Sequence, residues 1–230
     1  MSNSIPLAEG QHEPPLLDGW GAGLLDDFSM PSFARSAWRI VRHGRGYDPS
    51  LARMSRGLAL GVVRHPDGPF RRGGIQLGSA EVGGRGLGDF QASVCCRFPE
   101  AVGVGGEVRI VPFAGHAAPA LIIEPVGPIK NALRVIASGA RGKPPASMMC
   151  QANMAEWRVL TVRRVGPSWR IWVDGNEQPL PLAFVQHENA EPISIGLSAT
   201  VGGASGPPDA TTPELYSALF AWVRISTPVF

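Results

Sequence analysis

Polar and apolar residues alternate with a period of two through most of this chain, most cleanly between Trp157 and Gly175. There, WRVLTVRRV and SWRIWV are separated by Gly166-Pro167 and followed by Asp174-Gly175. Trp157, Val159, Thr161, Arg163 and Val165 fall on one face, with Arg158, Leu160, Val162 and Arg164 on the other, and Trp169, Ile171 and Val173 resume the register. The pattern predicts a β-hairpin, and Asp174-Gly175 a further tight reversal. Phe90 to Phe98 reads as a half-buried strand, with Phe90, Ala92, Val94, Cys96 and Phe98 inward and Gln91, Ser93, Cys95 and Arg97 outward. Shorter runs predict further strands at 24–30, 36–42, 57–63, 107–113, 120–124, 131–137, 148–154, 182–186, 193–201 and 219–225. Asp48-Pro49-Ser50 is suited to start one short helical turn. No long stretch combines a 3.6-residue period with freedom from glycine and proline, so the strands have no crossover helices and must form packed antiparallel sheets.

With 230 residues, 44% of them hydrophobic, the chain has material for one large core, and 29 glycines and 22 prolines suit many turns. Residues 1–20 read as a flexible, extended arm, and 21–230 as a single β-sandwich domain. The start of the chain lacks a basic region followed by an apolar run, and no apolar stretch is long enough to span a bilayer; the expectation is a protein made in a cytoplasm, with no secretion signal and no membrane partner. Cys95, Cys96 and Cys150 have no metal-site spacing and read as small buried hydrophobes. The net charge of +2 hides an uneven distribution. Arginines crowd the 35–72 region, whereas from Glu177 onward Arg224 is the only arginine or lysine. Arg35, Arg39, Arg42, Arg45, Arg53, Arg56, Arg71 and Arg72 are therefore a candidate assembly surface that opposes the acidic C-terminal third.

The order of an early LLDDFS strand, a central FQASVCCRF strand, the Trp157–Gly175 hairpin and a closing YSALFAWVRIST strand resembles the concanavalin A-like jelly rolls, in particular their laminin G-like branch. The resemblance covers roughly residues 22–230. It implies an all-β fold of two antiparallel sheets packed as a sandwich. That fold class carries lectins, polysaccharide hydrolases, adhesion modules and virion domains, so it leaves function open.

A glycosidase needs two carboxylates flanking the scissile bond. In laminarinase-like members of the fold they lie on one strand as Glu-x-Asp-x-x-Glu, and this sequence contains no such string. Glu188 and Glu191, or Asp26 and Asp27, diverge in an extended chain. No nucleophile elbow is present, and the histidines are scattered singly. The glycine-rich run 82–88 lacks the Lys-Ser/Thr of a phosphate loop. Nucleic-acid binding would rest on the arginines alone, without a stacking platform. The sequence thus predicts a non-catalytic structural protein of a bacteriophage particle or tail, located in the virion after assembly in the host cytoplasm, with self-association and other structural proteins as partners. The alternative is a lectin-like attachment module for a surface glycan, with Arg170, Trp172, Asp174 and Asn176 as the candidate ligand-binding residues. No cofactor is expected, except that a calcium ion could order the Asp174–Asn176 rim.

Overall fold

The structure is a computed structural model and describes residues 12–29, 32–33, 36–42, 46–54, 57–64, 69–78, 87–112, 121–137, 145–180 and 193–229. The first half of the chain supplies β1 (Trp20–Asp26), β2 (Trp38–Ile40), β3 (Ala52–Met54), β4 (Leu58–Val63), β5 (Arg71–Arg72), β6 (Gly74–Leu77), β7 (Phe90–Arg97) and β8 (Val104–Pro112). The second half supplies β9 (Leu121–Val126), β10 (Ala132–Ala137), β11 (Ala146–Gln151), β12 (Arg158–Val165), β13 (Ser168–Val173), β14 (Asn176–Gln178), β15 (Ile193–Val201) and β16 (Leu215–Pro228). The short helical turn expected at Asp48 forms at Pro49–Leu51, where the Asp48 carboxylate accepts from the Ser50 backbone N–H.

Among the described residues these strands make two sheets. The larger has nine strands in the order β14-β13-β12-β7-β16-β4-β3, with β1 added to β16 and β5 to β4. The smaller has seven, in the order β11-β10-β9-β8-β15-β6-β2. All of their pairings are antiparallel. Long β16 serves β4 with its first half and β1 with its second along one edge, while β7 lies along the other. The protein is an all-β jelly-roll sandwich, as the alternation predicted.

One apolar cluster fills the space between the sheets. Phe90, Val94, Leu160, Val162, Ile171 and Phe220 of the larger sheet meet Val108, Ile110, Ile123, Val135, Ile195 and Leu197 of the smaller. Burying each such side chain stabilises the fold by about 1.5–3 kcal/mol. Contact is closest at Gly106, where any Cβ would collide with the Phe98 ring and Ala218. The expected hairpin is present: Leu160, Val162 and Arg164 face Val173, Ile171 and Trp169 across β12 and β13. Asp174 and Gly175 turn the chain with φ of 49° and 77°. The strand expected at 148–154 begins and ends earlier, at Ala146–Gln151, and the one expected at 182–186 lies outside the described residues.

The outer face of β7 differs from the half-buried expectation. Gln91, Ser93 and Cys95 are as buried as the core face. Residues 13–15 cross this surface: the Pro14 carbonyl accepts from Gln91 Nε2 at 3.3 Å, the Pro15 carbonyl accepts from Arg163 Nη2, and Glu13 pairs with Arg224 at 2.7 Å. Cys95, Val159, Ala221 and Trp222 form a separate small cluster on the same side, with Trp157 packed against it. All three cysteines are free and buried, and burial raises the Cys95 thiol to about 12.

Candidate functional site

Strand β8 runs down the centre of the smaller sheet, and its alternation sends Val104, Val108 and Ile110 into the core. Glu107 and Arg109 therefore point to the opposite, outer face. Ladder pairing builds two rows on that face. In the first, Gly74 of β6, Ser198 of β15 and Glu107 stand side by side. The β8–β9 register pairs Val108 with Ile123, and one further step puts Glu124 beside Glu107, with Arg134 of β10 and Met149 of β11 beyond it. The second row runs from Arg39 through Gln76, Gly196 and Arg109 to Ile122 and Ile136.

Two carboxylates thus meet at the middle of the face. Glu107 Oε1 accepts from the Ser198 hydroxyl and lies 2.6 Å from Arg109 Nη2, and its side chain is only 4% exposed. Glu124 Oε1 accepts from Arg134 Nη2 at 2.6 Å and Nε at 3.1 Å, with 9% exposure. Burial works against the charge on Arg109, but the negative field of Glu107, joined by Tyr47 and Glu124, outweighs it and holds the guanidinium above its ordinary range. Among the described residues, Arg109 Nε and Thr200 Oγ1 are buried without a hydrogen-bond partner.

An aromatic ring closes one end of the first row. The edge of the Tyr47 ring packs against Gly74, whose absent Cβ would come 2.6 Å from Tyr47 Cε1. The Arg72 guanidinium sits over the same ring, 4.5 Å from its centre. At the other end, Gly203, in the turn Gly203–Ser205, packs beside Glu124 Oε2. A ring face, two paired carboxylates and several forked donors along one sheet face suit a polyhydroxylated chain.

The four candidate ligand residues do not converge. Trp172 is buried, opposite Thr161 and beneath the Arg163 guanidinium, 4.8 Å from its ring centre. Arg170 is exposed and pairs with Glu177 at 3.6 Å, on the rim of a hollow of about 410 Å³ with Trp169 and Leu180. Asp174 and Asn176 line a different hollow, of about 480 Å³, with Asn131, Asn153, Arg158 and Gln178. The Asp174 carboxylate is committed there, accepting from Arg158 Nη1 and the Val159 backbone N–H, each at 2.9 Å. A guanidinium at that carboxylate does not fit a calcium ion, and no three His, Cys, Asp or Glu side chains gather for a metal among the described residues.

The candidate arginine surface is divided between the sheets. Arg39 belongs to the smaller sheet; Arg53, Arg71 and Arg72 belong to an edge of the larger; Arg42 is exposed just after β2. Arg35, Arg45 and Arg56 lie outside the described residues.

No protein family and no curated protein matches the chain in sequence. Solved structures do match in fold. The laminarinase catalytic domain of Thermotoga maritima MSB8 superposes with a TM-score of 0.75 at 12% identity, over 93% of this chain and all of that one. The endo-β-1,3-glucanase of Pyrococcus furiosus gives 0.73 at 14% identity, over 94% and 98%. An endo-acting O-glycanase of the human gut microbiota gives 0.66 at 18% identity, over 89% and 98%. The chain has the jelly-roll sandwich of these glycan-cleaving enzymes, and at such identities the likeness is one of fold.

These neighbours overturn the expectation of a non-catalytic bacteriophage structural protein: they are catalytic domains, and nothing among them points to a virion. Among the described residues no single strand carries a carboxylate pair, whereas Glu107 and Glu124 come from adjacent strands and stand side by side only through the β8–β9 ladder. Strand β8 reads Glu107-Val108-Arg109-Ile110-Val111-Pro112 and holds a single carboxylate. A lone glutamate before a valine carried no signal in sequence.

Proposed function

We propose that the protein is a glycan-active enzyme that takes a polysaccharide across the outer face of the smaller sheet and hydrolyses its glycosidic bonds, with Glu107 and Glu124 as the working carboxylates. The observation that carries this reading is their juxtaposition at the centre of the face, each in contact with an arginine. Directly opposed residues of an antiparallel pair have Cβ atoms about 4.5–5.5 Å apart. Side chains rooted that close can bring their carboxyl groups to the roughly 5 Å separation of hydrolases that retain anomeric configuration. The role of acid falls to Glu124, the second carboxylate of the pair.

In this scheme Glu107, ionised beside Arg109 and steadied by the Ser198 hydroxyl, attacks the anomeric carbon. Glu124 protonates the departing oxygen and then draws a proton from the water that releases the sugar. Protonation of Glu124 requires that Arg134, 35% exposed, give up its contact and turn to the glycan. Tyr47, with Arg72 over one face of its ring, can meet the apolar face of a sugar only with the other. The finer resemblance, to the laminin G-like branch, would put the ligand at the Asp174–Asn176 rim instead; the commitment of Asp174 to Arg158 supports the sheet face over that rim.

The test is release of reducing ends from a panel of β-glucans and other polysaccharides, with E107Q and E124Q alongside. Each variant should lose about 10²-fold or more in rate while still being retarded by the glycan in affinity electrophoresis. Retardation without release removes the hydrolytic step, and absence of both removes the reading.

A further inference from the structure

On the reading that the smaller sheet's outer face binds the polysaccharide, we infer that its substrate is an anionic glycan, whose sulfate or carboxylate groups are met by Arg109 and its neighbours. The argument begins on β8. On its outer face this strand carries one carboxylate, Glu107, and one guanidinium, Arg109, two residues apart and in contact at 2.6 Å. The strand at the centre of the face therefore carries no net negative charge.

The rest of the face adds positive charge. Arg39 shares the row of Arg109, with Gln76 and the bare backbone of Gly196 between them. Arg134 stands one strand beyond Glu124, and Arg72 lies over the Tyr47 ring at the other end. Arg39, Arg109 and Arg134 share the face with two glutamates, and Arg72, on the adjoining edge of the larger sheet, adds to the excess of positive charge at the end of the path a chain would follow. Arg39 is anchored through Nη1 to the Ser36 carbonyl at 2.9 Å, which fixes its position at low entropic cost to a ligand.

Arg109 is the most telling of the four. Its Nη2 is engaged by Glu107, but its Nε is buried with no partner among the described residues. Leaving a guanidinium nitrogen unsatisfied is costly, and an oxyanion with two free oxygens is the ligand that accepts two of its N–H groups together. A neutral glucan offers only hydroxyls and does not repay that arrangement as well. Sulfate esters and uronate carboxylates share the required chemistry and differ in geometry and charge.

The experiment is affinity electrophoresis of the whole chain in gels containing a neutral β-1,3-glucan, alginate for carboxylate, or dextran sulfate for sulfate esters, at about 50 and 300 mM salt. The expected result is at least tenfold tighter retention by one or both anionic polymers, weakening with salt. Retention by alginate alone identifies the carboxylate, and by dextran sulfate alone the sulfate. R134Q, and the charge-conserving pair E107Q/R109Q where R109Q alone fails to fold, should each reduce anionic retention several-fold. R53Q, an exposed change on the edge of the larger sheet, should not. Equal loss with R53Q means attraction to overall charge and overturns the inference. Equal or stronger retention by the neutral glucan overturns it while leaving the polysaccharide reading intact. Retention by none overturns both.

Discussion

Replacing Lys130 by methionine should alter how stability responds to pH. Lys130 is fully buried at φ 59°, just before β10. Its ammonium donates to the carbonyls of Gly127 at 2.8 Å and Ala101 at 2.9 Å, and no ion pair with a carboxylate is found among the described residues. Burial without a counter-charge lowers its pKa from 10.5 to about 8. Between those values the unfolded chain keeps a proton that the folded chain has released, so stability rises with pH. The whole effect amounts to about 3 kcal/mol, of which about 1.3 kcal/mol falls between pH 7 and pH 9. The buried thiols act in the opposite sense above pH 9, since burial raises Cys95 and Cys96 and their unfolded forms ionise first. Their contribution is common to both proteins and cancels in the comparison. Urea unfolding at pH 7 and pH 9 should show the wild type gaining about 1.3 kcal/mol relative to K130M. Parallel behaviour of the two proteins would refute the account of a buried, depressed lysine, whatever the difference in their absolute stabilities.

Three further outcomes can be checked by similar means. Gly106→Ala forces a methyl against the Phe98 ring and should cost about 1–3 kcal/mol in urea unfolding. R109Q strands Glu107, almost fully buried, and should lose about 3 kcal/mol. The E107Q/R109Q pair should recover much of that loss, giving a clear coupling in a double-mutant cycle. R163Q removes the bond to Gln91 at 2.8 Å, the bond to the Pro15 carbonyl and the cover over Trp172. It should destabilise by about 1–2 kcal/mol, quicken proteolysis within residues 12–18 and shift tryptophan emission to the red.

Alternation alone made the sandwich legible. The Trp157–Gly175 hairpin, the Phe90 strand and the Ile193–Val201 strand each declare their core side, because a period of two is a local property. Pairing is not local, and that is where the site was hidden. Glu107 and Glu124 sit in two separately recognised strands, and nothing in either says that they are neighbours. The surface of the larger sheet was misleading for a related reason. Gln91 and Arg163 look solvent-facing until residues 13–15 are laid across them, and Trp172 until Arg163 covers it. Asp174 was legible as a turn former, and its bonds to Arg158 and Val159 show the same residue holding the hairpin to its neighbour strand end.

The central claim is that Glu107 and Glu124 cleave a glycosidic bond together, and proton NMR of the first product tests it most directly. The account predicts an initial product of retained anomeric configuration, formed by the wild type and lost in both E107Q and E124Q. A product of inverted configuration, or cleavage that survives either substitution, would contradict it.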